Sequence, residues 1–217
     1  MATHTMLSEH ASEYIGTALL LMVVTGSGIM GEQLSPANAA IALLANSIAT
    51  GCGLYVLITL LAPISGAHFN PLVSLYAWRM GFIDRKNLIA YCLAQFAGAI
   101  SGVWLSHALF SLPVIQYSSK PRHGLSIWIS ELIASAVLLA VIHLGIKSNK
   151  EKLPMLVALT VTAGYWFTSS TFFANPAVTL ARSLTDTFVG IAPADVIGFI
   201  CAQIIALLLI LIAIWKI

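Results

Sequence analysis

The sequence predicts an all-α membrane protein of six transmembrane helices and two membrane half-helices, arranged as an inverted repeat. Three observations carry this reading. Apolar residues make up 59% of the 217-residue chain and charged residues 8%, against about 25% charged in ordinary soluble domains. Two short apolar segments begin with Asn-Pro, at Asn70 and Asn175. The first half of the chain also recurs, with changes, in the second. Mean hydropathy is +0.94, and a water-soluble fold has too little interior to hide that much apolar surface.

The first ten residues, MATHTMLSEH, read as a short tail without Lys or Arg. No small-residue cleavage site follows, so the first apolar run is expected to be a retained span. Runs long enough to cross a bilayer, about 20 residues each, lie at 13–31, 39–61, 87–110, 125–146, 154–172 and 194–215. Polar connectors separate them: QLSPAN, RMGFIDRK, SLPVIQYSSKPRHG, KSNKEK and residues 183–195. The segments NPLVSLYAWR and NPAVTLARSL, opening at Asn70 and Asn175, are too short to span. At about ten residues each would reach ~15 Å, half of a hydrocarbon layer of ~30 Å. Residues 1–217 are read as a single membrane domain.

The internal repeat relates residues 13–110 to 125–215. EYIGTALLL from Glu13 matches ELIASAVLL from Glu131, NPLVSL matches NPAVTL, and YCLAQ ending at Gln95 matches FICAQ ending at Gln203, at offsets of 118, 105 and 108 residues. Three spans per half is an odd number, so the second half enters the membrane from the opposite side, about a pseudo-two-fold axis in the membrane plane. The Lys and Arg distribution sets orientation. Arg79, Arg85, Lys86, Lys147, Lys150, Lys152 and Lys216 fall on one side, and Lys120, Arg122 and Arg182 on the other. Both termini are therefore expected in the cytoplasm.

Asn-Pro is a helix-start signal, with Asn as N-cap and Pro at the first helical position. The Asn oxygen is used on first-turn amides, which leaves its NH2 free to point into a lumen. The inverted symmetry brings both starts together near the midplane. Non-helical backbone at that depth survives only when buried in protein or lining a wet cavity. The preceding stretches, Ser65–Phe69 and Thr168–Thr171, supply small residues and carbonyls for such a wall.

GAHFNPLVSL and FANPAVTLAR, with the paired Glu13 and Glu131 and the paired Gln95 and Gln203, resemble the major intrinsic protein family, the aquaporins and aquaglyceroporins, over residues 13–215. The doubled motif is specific; a single Asn-Pro is not. The resemblance implies a right-handed bundle, a homotetramer in the lipid bilayer and one pore per subunit. It implies pore motifs at Asn70, Pro71, Leu72 and Asn175, Pro176, Ala177. Leu72 replaces the family's usual Ala, a change expected to alter packing behind the Asn. Val178 stands where the family usually carries the Arg of the outer constriction, and Thr179 where glycerol channels carry Asp. Alignment of the constriction lands on Thr50, on Ala163 (or Gly164 with a gap), on Phe172 and on Val178, a ring wider and more apolar than a water filter.

This pattern resembles the aquaglyceroporin-like channels of bacterial arsenic resistance, which implies passage of arsenite, other neutral metalloid acids and glycerol-sized polyols. A water-selective aquaporin is the alternative, and a coupled transporter a more distant one. Two helix N-termini of about +0.5 charge each, ~5 Å from a cation at an effective dielectric of ~20, raise its energy by roughly 3 kcal/mol. Cations are therefore expected to be held back even without the usual Arg. Arg182 has two readings: a positive outer mouth, or a solvated or loop-paired arginine. His68 is expected in the pore wall or loop packing, with a pH gate as the other reading. Glu13 and Glu131 are expected to accept hydrogen bonds from the half-helix loops, with Gln95 and Gln203 as buried partners. Gly98 and Gly102, mirrored by Ala202 and Ala206, suit a close helix crossing. Cys52, Cys92 and Cys201 read as small packing residues, and His143 as satisfied locally. No cofactor, metal or nucleic-acid partner is expected, and no nucleophile–base pair suggests an enzyme.

Overall fold

The computed structural model describes residues 6–215, and all its regular elements are helical. They are α1 (Met6–Leu34), α2 (Ala39–Ser65), α3 (Pro71–Arg79), α4 (Arg85–Leu109), α5 (Leu125–Ser148), α6 (Leu153–Phe167), α7 (Pro176–Arg182) and α8 (Val196–Trp215). Single 3₁₀ turns precede α6 and α8. Lys216, one of the cations used for orientation, lies outside the described residues.

Local chemistry sets most ends. Asn38 caps α2 by accepting from Ala40 N at 3.1 Å and Ile41 N at 3.3 Å, and Asp84 caps α4 through Asn87 N at 2.7 Å. Gly66, at φ +86°, closes α2 with its N–H on Ala62 O, a left-handed position that glycine takes at little cost.

Two boundaries differ from expectation. Helix α1 starts at Met6, not near 13, because nothing in SEHASEY breaks a helix and tertiary contacts hold its start. His10 stands edge-on to Tyr91 with centroids 5.8 Å apart. Helix α6 stops at Phe167, not 172: Thr168 is extended (φ −113°, ψ 132°) and residues 168–175 turn back into the bundle. Five described helices, α1, α2, α4, α5 and α8, are long and apolar enough to cross a membrane. At 15 residues, α6 rises only ~22 Å.

The two repeats pack alike. Helix α1 lies on α2 and α4, and α5 lies on α6 and α8, while α2–α6, α4–α7 and α3–α8 contacts join the halves. The α1–α4 crossing is tight: a Cβ on Gly98 would sit 2.3 Å from Tyr14 O, and one on Gly102 2.2 Å from Ala18 O. Ala202 and Ala206 are buried at the corresponding positions of α8. Polarity is reversed relative to a soluble fold. Leu60, Leu93 and Ile197 are 65–73% exposed, while Glu13, Gln95, Glu131 and Gln203 are 0% exposed. A lipid environment accounts for both. Cys52 and Cys201 sit exposed on outer helix surfaces, not in packing contacts; their phase on α2 and α8 turns them away from the bundle.

Candidate functional site

The two Asn-Pro segments meet. Asn70 Oδ1 accepts from Leu72 N at 2.9 Å, and Asn175 Oδ1 from Ala177 N at 2.9 Å and Val178 N at 3.2 Å. Each side-chain amide then crosses to the other half: Asn70 Nδ2 donates to Ala174 O at 2.7 Å, and Asn175 Nδ2 to Phe69 O at 2.8 Å. Pro71 and Pro176 occupy the first helical positions. Leu72 and Ala177 are fully buried behind the two asparagines.

The loops feeding these caps are strained in the same way. Gly66, Ala67 and Phe69 have φ of 86°, 50° and 48°, and the equivalent Thr171, Phe172 and Ala174 have 59°, 54° and 45°. Each non-glycine residue held there costs roughly 1–3 kcal/mol, so the surroundings must enforce it. Glu13 does so in the first half. It accepts from Ser65 Oγ (2.7 Å), His68 N (2.9 Å), Phe69 N (2.7 Å) and Gln95 Nε2 (2.7 Å). Glu131 is its counterpart, accepting from Ala174 N at 2.6 Å and Gln203 Nε2 at 2.7 Å. Gln95 also donates to Ser74 at 2.9 Å, and Gln203 to Thr179 at 2.9 Å. Thr179, the residue at the glycerol channels' Asp position, thus belongs to this scaffold. With the amides committed, no donor among the described residues reaches the carbonyls of Gly66, Ala67, His68, Phe172 or Phe173. All five residues border the cavity.

That cavity, about 160 Å³, runs past Asn70 and Asn175, from Phe82, Ile146 and Leu153 at one end to Arg182 at the other. Thr50, Phe172 and Val178 are in its wall. Ala163 is not: it is exposed on the outer face of α6, and Tyr165 lines the cavity instead. The reason is helical phase. Ala158, Val161 and Tyr165 share one inward face of α6, and Ala163 falls on the opposite, exposed one. Gly164 backs the Phe172 ring, which leaves no room for a Cβ there. Tyr165 OH pairs with Thr50 Oγ1 at 3.2 Å. Sequence reasoning missed Tyr165. It missed Val73 too, which lines the cavity and follows Asn70 as Val178 follows Asn175.

His68 lines the cavity, with Nδ1 3.0 Å from Ser74 Oγ and its ring 5.3 Å from that of Tyr91. His143 pairs with Tyr76 OH at 2.7 Å.

At the opposite end Arg182 is 2% exposed, not solvated. Its Nε donates to Val189 O, and its guanidinium lies 3.5 Å over the Phe173 ring. Arg122 approaches the same ring at 5.3 Å, with Nε on Gly190 O at 2.8 Å. Burial pulls the Arg122 guanidinium below its ordinary value. Beyond it, Asp186 accepts from Ser119 N at 2.8 Å and Oγ at 2.9 Å, and these bonds hold its carboxyl below the usual range. His107 ties the loops together. Val114 O can only accept, at 2.8 Å, so His107 donates from Nδ1; its Nε2 meets Thr185 Oγ1 at 2.7 Å.

Two asparagine-capped half-helices meeting end to end inside a membrane bundle, beside an open passage, define a channel. The family model described as "Major intrinsic protein" matches residues 1–171. The chain is 52% identical over 194 residues to Aquaglyceroporin AqpS of Rhizobium meliloti (strain 1021), covering 89% of this chain and 83% of that protein. It is 31% identical over 163 residues to the Glycerol uptake facilitator protein of Pseudomonas aeruginosa, covering 64% of this chain and 57% of that protein. The X-ray structure of the aquaglyceroporin from Plasmodium falciparum shares the fold, with a TM-score of 0.69 and 22% identity over 94% of this chain and 91% of that one. The chain belongs to the major intrinsic protein family, and is a multi-pass membrane channel for small neutral solutes.

Proposed function

We propose that this channel passively conducts glycerol-sized polyols and arsenite, a neutral trihydroxy acid, with no enzymatic step. The observation that carries the reading is the cavity running past both asparagines, with Thr50, Tyr165, Phe172 and Val178 in its wall. Two Asn amides stand at its middle, and unpaired carbonyls line its approaches. A hydroxylated solute can exchange water for these groups while its carbon side slides along Val178 and Phe172. The absence of Arg at position 178 leaves more room than a single-file water filter needs. The resemblance to Aquaglyceroporin AqpS supports the polyol part of this reading.

The proposed assembly is a homotetramer in a bacterial inner membrane, with both ends cytoplasmic. Arg79, Arg85, Lys86, Lys147, Lys150 and Lys152 are all exposed. Of the opposing cations, Arg182 is buried and Lys120 pairs with Glu32 at 3.5 Å. Six cations on this side against Lys120, Arg122 and Arg182 on the other favour this orientation.

Stopped-flow light scattering on reconstituted vesicles tests the solute reading with water, glycerol and arsenite gradients. The parent is expected to pass all three, and Val178→Arg to lower glycerol and arsenite passage at least about tenfold, the scale of a 1.4 kcal/mol barrier. A parent that passes water but excludes glycerol and arsenite is a water channel, and the proposal fails.

A further inference from the structure

We propose that Arg182, supported by Arg122, supplies the charged, solute-selecting group of the outer mouth, one helical turn outward of Val178. The inference rests on the channel reading above and adds a residue that neither the Asn-Pro motifs nor the alignment of the constriction assigns.

The geometry singles out Arg182. It follows Val178 by four residues, on the same face of α7, and both side chains border the cavity. Arg182 is 2% exposed. Among the described residues, neither Arg182 nor Arg122 forms an ion pair. A buried cation without a carboxylate is costly, and here its position is built. Phe173 takes the flat face of the guanidinium at 3.5 Å, and Phe173 is itself braced edge-on by Phe199 at 4.9 Å between centroids. Val189 O fixes Nε. Among the described residues no acceptor is found for Nη1 or Nη2, and Arg182 borders the cavity.

The chemistry follows from that placement. The outward nitrogens form a planar donor fork matched to solute oxygens. The same charge repels cations: one elementary charge about 5 Å from a passing cation, at an effective dielectric of about 20, lowers its occupancy by on the order of a hundredfold. Arg122, half-buried and 5.3 Å from the same Phe173 ring, adds to the field. The ligand class is neutral and oxygen-rich. Val178 leaves room for bulk, and Arg182 selects against positive charge.

Vesicles carrying the parent, Arg182→Gln, Arg182→Lys or Arg122→Gln test this, with glycerol permeability and potassium or proton leak measured on each. Arg182→Gln is expected to raise leak at least about tenfold, the scale of a 1.4 kcal/mol change. Arg182→Lys keeps the charge, so leak stays at the parent's level while glycerol permeability falls several-fold with loss of the fork. Arg122→Gln raises leak to a smaller degree. A leak in Arg182→Gln equal to the parent's overturns the proposal. Should that variant not assemble, Arg182→Lys with parental glycerol permeability and Arg122→Gln with parental leak together overturn it. A parent that passes no glycerol counts against the channel reading, and the leak comparison still decides the role of Arg182.

Discussion

Asn70 and Asn175 exchange hydrogen bonds across the repeat boundary: each side-chain amide donates to the carbonyl just before the other's cap, at 2.7 and 2.8 Å. Each asparagine is therefore a helix cap and a tie between the two halves at once. The cap uses the oxygen, the tie uses the nitrogen, and the remaining N–H of each amide is left for a solute.

Asn70→Ala removes a cap, worth about 1 kcal/mol, and a hydrogen bond to Ala174 O, worth about 1 kcal/mol more. Thermal unfolding of the purified protein should show a loss of about that sum. Asn70→Asp keeps the accepting oxygen but puts a carboxylate where the donor stood. It should retain more of the stability than Asn70→Ala and conduct cations better than the parent.

The glutamates are not equal clamps. Glu13 accepts four hydrogen bonds at 2.7–2.9 Å, whereas Glu131 accepts two at 2.6–2.7 Å. Each buried donor left unpaired costs about 1–3 kcal/mol. Glu13→Ala should therefore destabilise by at least about 3 kcal/mol and more than Glu131→Ala. Equal melting temperatures for the two variants would contradict the asymmetry.

Gly102 and Gly81 separate close packing from backbone strain. At Gly102 any side chain meets Ala18 O, so Gly102→Val should push α1 and α4 apart, at a cost of about 3 kcal/mol or more. Folded yield after detergent extraction reads this directly. At Gly81 nothing stands within 4 Å and φ is +77°; Gly81→Ala should cost only about 1 kcal/mol, through strain alone.

Asp186 predicts a mild acid sensitivity of the outer loops. Its folded value is lowered, first by the Ser119 N–H and then by the Ser119 hydroxyl. A lowered carboxyl value contributes stability above the unfolded value, about pH 4, and loses it as pH falls through the folded value. Because Asp186 is exposed, solvent screening keeps the effect below about 1 kcal/mol. Melting curves taken from pH 6 downward (approximate starting point) should fall less steeply for Asp186→Asn than for the parent.

Much of this architecture was legible along the chain because its signals are local. Asn-Pro specifies a helix start within four residues, so the beginnings of α3 and α7 needed no tertiary information. The pairing of Glu13 with Glu131 and of Gln95 with Gln203 was visible as a repeat, and the spans as length and hydropathy. Where α6 ends was not, because nothing in TAGYWFTSST forbids another turn; the pull of residues 168–175 into the bundle ends it. The inward position of α6 is Tyr165 and not Ala163 for a separate reason, helical phase, which counting residues back from Asn175 does not give. Arg182 shows the same limit. Its spacing from Val178 is written in the chain, but its burial depends on Phe173 and Val189, residues brought to it by two loops. Composition and motif determine which helices form and what caps them; which side chains face the passage is a matter of phase and distant contacts, and those exist only once the helices have packed.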